Sequence, residues 1–158
     1  MVYRRSTQVA VGVVLLLASE EEGTSRRVRD LAAALGVPAT YVAKIVQALT
    51  RVGLLHALRG PRGGVQLGRS PDEVHLWDVL SAVEPVGEFE RCYLRLDRCD
   101  DLHPCPVHDD WAPIRAQILA MLQKRSMREI ASEAQRSGAL CWRGRGKGQK
   151  PRAKADKN

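Results

Sequence analysis

Residues 28–67 read VRDLAAALGVPATYVAKIVQALTRVGLLHALRGPRGGVQL, and this stretch decides the fold. Apolar residues three and four positions apart predict a helix from about Val28 that Gly36 terminates. Pro38 stands where a proline commonly opens a helix. The next apolar face predicts a second helix that ends at Gly53, and its members are Val42, Ile45, Val46, Leu49 and Val52.

A hairpin is predicted directly after the second helix. Leu54–Leu58 and Val65–Leu67 are short apolar stretches, and a glycine-rich turn over 59–64 joins them. Two helices that meet at a glycine and are followed by a two-stranded hairpin have the order of a winged helix-turn-helix. The predicted fold class is therefore mainly α, with a winged helix-turn-helix domain and a small β-hairpin wing.

The polar side of the second helix is suited to the major groove of DNA. It offers hydroxyl, amide and cationic groups without a carboxylate, and its members are Thr40, Tyr41, Lys44, Gln47 and Arg51. The hairpin turn adds Arg59 and Arg62, which can reach phosphates or a narrow minor groove. Such a face alone is typical of any solvated helix, and such a turn of any hairpin. Their order along the chain favours double-stranded DNA as the partner.

Positive charge is concentrated at the two ends of the chain. The net charge of +7 is made up of +6 over residues 1–70, −5 over residues 71–137 and +6 over residues 138–158. The last segment is basic and glycine-rich, cannot bury enough apolar surface to fold, and is predicted to be disordered. The first segment is basic on its own account, which agrees with a nucleic-acid partner.

The N-terminus imitates the leader of a secreted protein. Arg4 and Arg5 precede an apolar run over residues 9–18, but that run is too short to span a membrane. Glu20–Glu22 follow it in place of a small-residue cleavage site. The favoured alternative is a buried first helix over about Ser6–Ser19. We therefore expect a cytoplasmic protein without a membrane partner.

Further helices are predicted after the wing. One opens at Ser70-Pro71-Asp72 and is apolar at Val74 and beyond. A long amphipathic helix is predicted over Asp109–Lys124, and a shorter one near Met127–Gln135. The apolar positions of the long helix are Trp111, Ile114, Ile118, Met121 and Leu122.

Three of the four cysteines lie in a stretch without periodicity. Six residues separate Cys92 from Cys99, five separate Cys99 from Cys105, and two separate Cys105 from His108. Thiolates this dense in a cytoplasmic protein favour soft-metal ligands over structural disulfides. Cys141 lies in the basic tail and is predicted to be a bystander.

The chemistry of these cysteines leaves several alternatives open. Zinc sites commonly contain close Cys-x-x-Cys pairs, which are absent here, so the longer spacing favours an iron–sulfur cluster. Zinc and a reversible thiol switch remain alternatives. His108 is either a ligand or a solvated residue before the long helix. No nucleophile–base pair stands out, so no enzyme activity is expected.

The chain resembles the iron–sulfur cluster regulators, the IscR/NsrR/RirA-like winged-helix repressors, from about Met1 to Gln135. The strongest part is Arg59–Gly68, RGPRGGVQLG, which is similar to the wing signature of that family. Leu76–Glu84, LWDVLSAVE, resembles the helix after the wing. The cysteines and His108 fall on the family's cluster-binding loop, just before the long helix that forms its homodimer.

This resemblance implies a homodimer, an inverted-repeat operator and one iron–sulfur cluster per subunit. It implies that Thr40, Tyr41 and Lys44 read the major groove, while Arg59 and Arg62 serve the wing. Members of the family sense iron–sulfur supply, nitric oxide, iron or redox state.

Two departures from the family bear on the ligands. The first cysteine gap is six residues, where five is common in IscR-like and NsrR-like members, so the loop differs in shape. Nitric-oxide sensors of this type can use an acidic residue near the N-terminus as fourth ligand, but here Thr7 and Gln8 occupy that stretch. This favours His108 as the fourth ligand, and a 2Fe–2S over a 4Fe–4S cluster.

The resulting hypothesis divides the chain into four parts. Residues 1–84 form the winged helix-turn-helix, 85–108 the cysteine loop, 109–137 the dimerisation helix with a short following helix, and 138–158 the tail. The cluster on Cys92, Cys99, Cys105 and His108 would switch operator affinity, with repression as the expected effect. The alternatives are a zinc- or thiol-switched regulator and, in another class, an iron–sulfur electron-transfer protein.

Overall fold

The computed structural model describes residues 4–60, 63–84, 91–96 and 99–138. Within these ranges the chain forms six helices and one two-stranded sheet, which confirms the predicted mainly α class with a hairpin. The predicted tail lies outside them, apart from Gly138. In chain order the elements are α1 (Arg5–Ala18), α2 (Val28–Leu35), α3 (Ala39–Arg51), β1 (Leu55–Leu58), β2 (Gly64–Leu67), α4 (Leu76–Val83), α5 (His108–Lys124) and α6 (Met127–Arg136).

Helix α1 is the centre of the core. It packs against α2, α3, α4, α6 and β2, which explains why its sequence is apolar on nearly every side. Val13 and Val14, on different sides of the helix, are both fully buried. Among the described residues, no single helix is long and apolar enough to cross a membrane, and α2 with α3 passes that test only as a bent pair.

Helices α2 and α3 form the predicted helix-turn-helix, with 114° between them. Gly36 ends α2 in the left-handed conformation, at φ 65°. Its N–H donates to the carbonyl of Ala33 at 3.3 Å, and the N–H of Val37 donates to that of Ala32 at 3.1 Å. A side chain would cost about 1–2 kcal/mol at this φ, so glycine is required where the chain turns towards α3.

The wing is the antiparallel pair β1 and β2, in which Leu55 faces Leu67 and Leu58 faces Gly64. Arg26 adds to its edge, because it exchanges two backbone hydrogen bonds with Val65 at 2.8 and 2.9 Å. A Cβ on Gly64 would lie 2.8 Å from the carbonyl oxygen of Arg26. This close approach excludes other residues there and anchors the wing to the start of α2.

The predicted start of α4 at Ser70-Pro71-Asp72 is wrong, because α4 begins at Leu76. The backbone before it has other partners. The carbonyl of Val74 accepts from the N–H of Met127 at 2.7 Å, and that of Pro71 accepts from Arg128 at 3.0 Å. The helix begins only after His75, whose N–H donates to the carboxylate of Asp78 at 2.8 Å.

The two C-terminal helices attach to the core in different ways. Helix α6 packs on α1 and buries Met127 and Ala131. Helix α5 contacts α4, and Leu122 is the only buried residue among its described side chains. Ile114 and Met121 on α5 are 49% and 54% exposed. Much of the predicted apolar face of α5 therefore remains uncovered in a single chain.

Candidate DNA-binding face and cysteine site

The polar side of α3 is the first candidate site. The opposite side of the helix faces the core, where Val42 and Leu49 are fully buried. Tyr41 is half-buried and packs against the core. The other predicted α3 residues are all exposed, and they are Thr40, Lys44, Gln47 and Arg51. The structure thus gathers the predicted α3 residues on one helix face.

A cavity of about 390 Å³ opens beside this face. Tyr41 and Lys44 line it together with Pro38, Thr40 and Arg5, the first residue of α1. Neither Arg5 nor Lys44 forms an ion pair with a described residue. Sequence reasoning missed Arg5, because only the packing of α1 against α3 brings it to this place.

A second cavity of about 390 Å³ lies between α3 and the wing. Gln47 lines it from α3, Gly64 from β2, and Arg27 from the position before α2. Arg59 is exposed at the start of the wing turn, whereas the predicted contact residue Arg62 lies outside the described residues. Polar and cationic groups therefore follow α3 from one cavity to the next.

The predicted metal ligands converge in the cysteine loop. The sulfur atoms of Cys92, Cys99 and Cys105 all lie within 4.8 Å of one another, and those of Cys92 and Cys105 are 3.4 Å apart. Nδ1 of His108 lies 3.3 Å from the sulfur of Cys99. None of these three cysteines is in a disulfide, and each is partly buried. Four predicted donor atoms thus form one group, while Cys141 lies outside the described residues.

Asp101 contacts the other nitrogen of the His108 ring. Oδ1 of Asp101 lies 3.2 Å from Nε2 of His108, which is the first residue of α5. A carboxylate at Nε2 favours the tautomer that carries its proton there. The lone pair on Nδ1 is then available on the side of Cys99, as in metal sites where a carboxylate orients a histidine ligand.

The surroundings of Cys92 and Cys99 shift the pKa values of these two thiols in opposite directions. Partial burial raises the pKa of Cys92, but backbone amides of Leu96 and Leu94 and the neighbouring thiols outweigh it and lower that pKa to about 7. The backbone amide of Cys105 lowers the pKa of Cys99, but partial burial and the two sulfur neighbours raise it to about 11. Three thiolates this close repel one another unless a cation joins them.

Trp111 in the first turn of α5 also contacts the cysteine loop. Nε1 of Trp111 donates to the carbonyl of Arg91 at 3.3 Å, and the rings of Tyr93 and Trp111 lie 5.3 Å apart. Further along, the carboxylate of Asp100 accepts from the N–H of Leu102 at 3.0 Å and closes a turn between the second and third cysteines. The cysteine loop, which carries the donor atoms, is therefore anchored beside the first turn of α5.

A buried carboxylate joins the end of α4 to the start of α1. Glu84 follows the last residue of α4, and its side chain is 7% exposed. Its Oε1 accepts a hydrogen bond from the hydroxyl of Thr7, and its Oε2 lies 3.3 Å from Nε of Arg4. We call Arg4, Thr7 and Glu84 the clasp.

The model of one protein family, described as iron-dependent transcriptional regulators and named Rrf2, matches residues 3–133 of the chain. The chain belongs to the Rrf2 family. It is accordingly a transcriptional regulator and not an enzyme, and its helix-turn-helix is the DNA-binding unit that this family implies.

Relatives within Rrf2 include IscR proteins. The HTH-type transcriptional regulator IscR of Aliivibrio salmonicida is 29% identical over 101 residues, which are 64% of this chain and 60% of that relative. The T. potens IscR structure has a TM-score of 0.70 at 17% identity and covers 87% of this chain and 90% of its own. CymR, the global cysteine regulator of B. subtilis, has a TM-score of 0.70 at 20% identity over 84% and 98%. At these identities the two structures show the fold alone.

The donors in this Rrf2 protein fit a soft metal, because thiolates and imidazole are ligands that iron and zinc take. Metal–sulfur bonds of about 2.3 Å at tetrahedral angles place two sulfurs about 3.8 Å apart, close to the 3.4 Å between Cys92 and Cys105. Cys99 and His108 form a second close pair. The four donors could therefore hold an iron–sulfur cluster or one tetrahedral metal ion.

Sequence reasoning missed three residues that the structure places at or near the candidate sites. Asp101 could have been suspected as a carboxylate within the cysteine loop, and Arg5 as a cation in the basic half of the chain. Nothing in the sequence pairs Glu84 with Thr7, because 77 positions separate them. Their contact depends on how α1 and α4 pack.

Proposed function

We propose that this Rrf2-family regulator binds an inverted-repeat operator as a homodimer, and that an iron–sulfur cluster on Cys92, Cys99, Cys105 and His108 changes its operator affinity. The observation that carries the proposal is the convergence of the three cysteine sulfurs within 4.8 Å of one another. The cellular place proposed for this activity is the cytoplasm, where free thiols persist.

The exposed face of α3 supports the proposed DNA contacts. Thr40, Tyr41, Lys44 and Gln47 offer groups that bind base edges and phosphates, while Arg51 lies in the last turn of the same helix. Arg59 and Arg62 are the proposed wing contacts, in the minor groove or at phosphates. Base readout by α3 would select the operator, while cations would supply affinity that does not depend on sequence.

The uncovered side of α5 supports the proposed homodimer. Ile114 and Met121 are two turns apart on that helix, and each is about half exposed. Apolar residues seven positions apart lie on the same side of a helix, as in packed helix pairs. A second α5 packed there would cover both residues, and two-fold symmetry of the protein would match an inverted repeat in the DNA.

The cysteine loop supports a switch by ordering. Bound to the four ligands, the cluster would supply a redox-active group sensitive to oxidants and nitric oxide. The ligands span the loop from Cys92 to His108, the first residue of α5. Leu122 near the other end of α5 packs against Leu80 of α4. Fixing the loop would therefore fix how α5 meets the DNA-binding domain, and releasing it would change operator affinity.

Metal analysis of protein purified without oxygen tests the cofactor. We expect a brown protein with iron and sulfide in equal amounts, about two of each per chain for a 2Fe–2S cluster and about four for 4Fe–4S. Zinc is the specific rival, because all four donors also match one tetrahedral ion. A colourless protein that contains zinc, or no metal after reconstitution, would overturn the iron–sulfur proposal.

Selection from a pool of random duplexes tests the switch. We expect loaded protein to enrich an inverted repeat, and removal of the metal to change the affinity for that sequence. Replacing Cys92, Cys99 and Cys105 together by Ala should then give one affinity under all redox conditions. Equal affinities of loaded and metal-free wild-type protein would contradict the switch and leave DNA binding intact.

A further inference from the structure

We propose that Arg5 completes a binding site for one backbone phosphate of DNA, and that Glu84 holds this site in position through Arg4 and Thr7. The inference rests on the DNA binding proposed above. It extends the DNA contacts from the recognition helix and wing to the first turn of α1, and it gives the buried carboxylate after α4 a role in that contact.

The lining of the cavity beside α3 matches an anion with several acceptor oxygens. Arg5 contributes a planar guanidinium, Lys44 an ammonium and Tyr41 a phenol, and no described carboxylate lines the cavity. Because neither cation is paired with a described carboxylate, no ion pair must break when an anion enters. Guanidinium and ammonium groups that converge in this way suit a phosphate, which accepts hydrogen bonds from both.

The position of the cavity favours a DNA phosphate over a free anion. Thr40 and Lys44 belong both to the cavity lining and to the exposed face of α3 that is proposed to enter the major groove. A helix in that groove lies between two phosphate backbones, so that residues at its margin meet phosphates while its centre meets bases. Arg5 stands at this margin on a different helix, which suits it for positioning the protein on the duplex.

The clasp controls where Arg5 lies. Arg4 directly precedes α1 and Thr7 lies in its first turn, so the two flank Arg5, and both contact the carboxylate of Glu84. This carboxylate is 7% exposed and Thr7 is 2% exposed, so their contact is shielded from water, whereas the side chain of Arg4 is 63% exposed. A shielded and doubly bound carboxylate resists displacement. The end of α4 therefore fixes the first turn of α1 against α3, and with it the distance between Arg5 and Lys44.

Salt dependence of DNA binding tests the role of Arg5. The probe is a duplex of random sequence, because a phosphate contact does not depend on bases. We expect Arg5→Ala to weaken binding about tenfold and to lower the slope of log affinity against log salt by about 0.9 for each subunit engaged. Arg5→Lys keeps the charge and should retain most of the slope.

Arg136→Ala is the matched control for removing one cation. Arg136 lies at the other end of α1 from Arg5, since its neighbour Gln135 donates to the carbonyl of Ser19 at 3.0 Å, just beyond the last residue of α1. This variant should keep the wild-type slope. An Arg5→Ala slope equal to that of wild type and Arg136→Ala would overturn the phosphate site.

A double-mutant cycle tests whether Glu84 acts through Arg5. Glu84→Gln keeps the shape of the side chain but removes its charge, and we expect weaker DNA binding with a reduced slope. In the Arg5→Ala background the same change should have no further effect on the slope or the affinity. Thr7→Val removes the hydroxyl with little change of shape. It serves as the second variant if a thermal melt shows that Glu84→Gln is unfolded.

The outcomes separate this inference from the proposed function. If wild-type protein binds no duplex at low salt, the proposed function fails and the phosphate site fails with it. If wild type binds and Arg5→Ala keeps the full slope, the phosphate site alone is wrong. If Glu84→Gln and Thr7→Val weaken binding equally with and without Arg5, the clasp does not position Arg5 and that part is wrong.

Discussion

The helix-turn-helix half, residues 4–84, and the described part of the cysteine loop, from residue 91 to His108, are held together by different means. In the first, apolar side chains close around α1, and turns are set by local hydrogen bonds such as those after Gly36. In the second, before α5, the described residues form neither helix nor strand, and Leu102 is 85% exposed. Packing therefore stabilises the first region, whereas we expect the second to be organised around its donor atoms once a metal is bound.

The largest expected effect comes from breaking the packing of the helix-turn-helix half. Leu49 on α3 is fully buried, so Leu49→Ala should lower the free energy of unfolding by about 2–5 kcal/mol. Leu102→Ala in the cysteine loop makes the same chemical change at an exposed position and should change it by less than about 0.5 kcal/mol. Denaturant unfolding of both variants measures the difference. Similar losses would show that the loop shares the core.

The difference between the two regions also determines which parts of the fold could be predicted from the sequence. Residues 28–67 obey local rules of period, helix termination and turn chemistry, and the structure confirms their two helices and hairpin. The long helix predicted over Asp109–Lys124 begins one residue earlier, at His108. The start of α4 was predicted wrongly because the backbone of Val74 pairs with Met127, a contact 53 residues away that no local rule contains.

Site residues could be predicted from the sequence where the residue type itself indicates the function. The cysteines and His108 could be named because few residues other than Cys and His bind soft metals. Asp101, Arg5 and Glu84 belong to residue types that are common on protein surfaces, so the residue type alone does not mark them as site residues. Each gains its place from packing or from loop geometry, as when Glu84 meets Thr7 across 77 positions.

The second effect tests whether donor atoms organise the cysteine loop. Cys105→Ser removes one soft donor from the group of four, and we expect metal affinity to fall by at least about 100-fold. Cys141→Ser is the matched control and should retain the metal content of wild type. Iron, sulfide and zinc per chain after anaerobic purification measure both. Full occupancy in Cys105→Ser, or loss in Cys141→Ser, would show that the ligands have been assigned wrongly.

The third effect concerns the uncovered side of α5, which joins the two regions. In the proposed homodimer, lysines at Ile114 and Met121 would bury charge in an apolar contact, where each lost side chain is worth about 1.5–3 kcal/mol. Ile114→Lys combined with Met121→Lys should therefore give a monomer in sedimentation. Gln123→Lys adds the same charge at an exposed position on the opposite side of α5 and should remain dimeric. A dimeric double variant would place the interface elsewhere.

The smallest expected effect concerns the contribution of Asp101 to metal binding in the cysteine loop. Asp101→Asn weakens the contact that holds the His108 ring, and loss of such a contact costs about 10–100-fold in metal affinity. The Asp101 side chain is 99% exposed, so water competes for the same hydrogen bond and we expect the lower limit, about tenfold. Cobalt(II) titration of the metal-free protein provides the measurement, because thiolate-bound cobalt absorbs visible light.

Asp110→Asn is the control for that titration. It removes an exposed carboxylate from the first turn of α5 without touching the ring of His108. If only Asp101→Asn weakens cobalt binding, then Nδ1 of His108 is a ligand whose orientation matters. The metal affinity of the loop then depends on Asp101 as well as on the four donors. If both variants bind as wild type does, His108 is not a ligand, and the fourth donor must come from elsewhere.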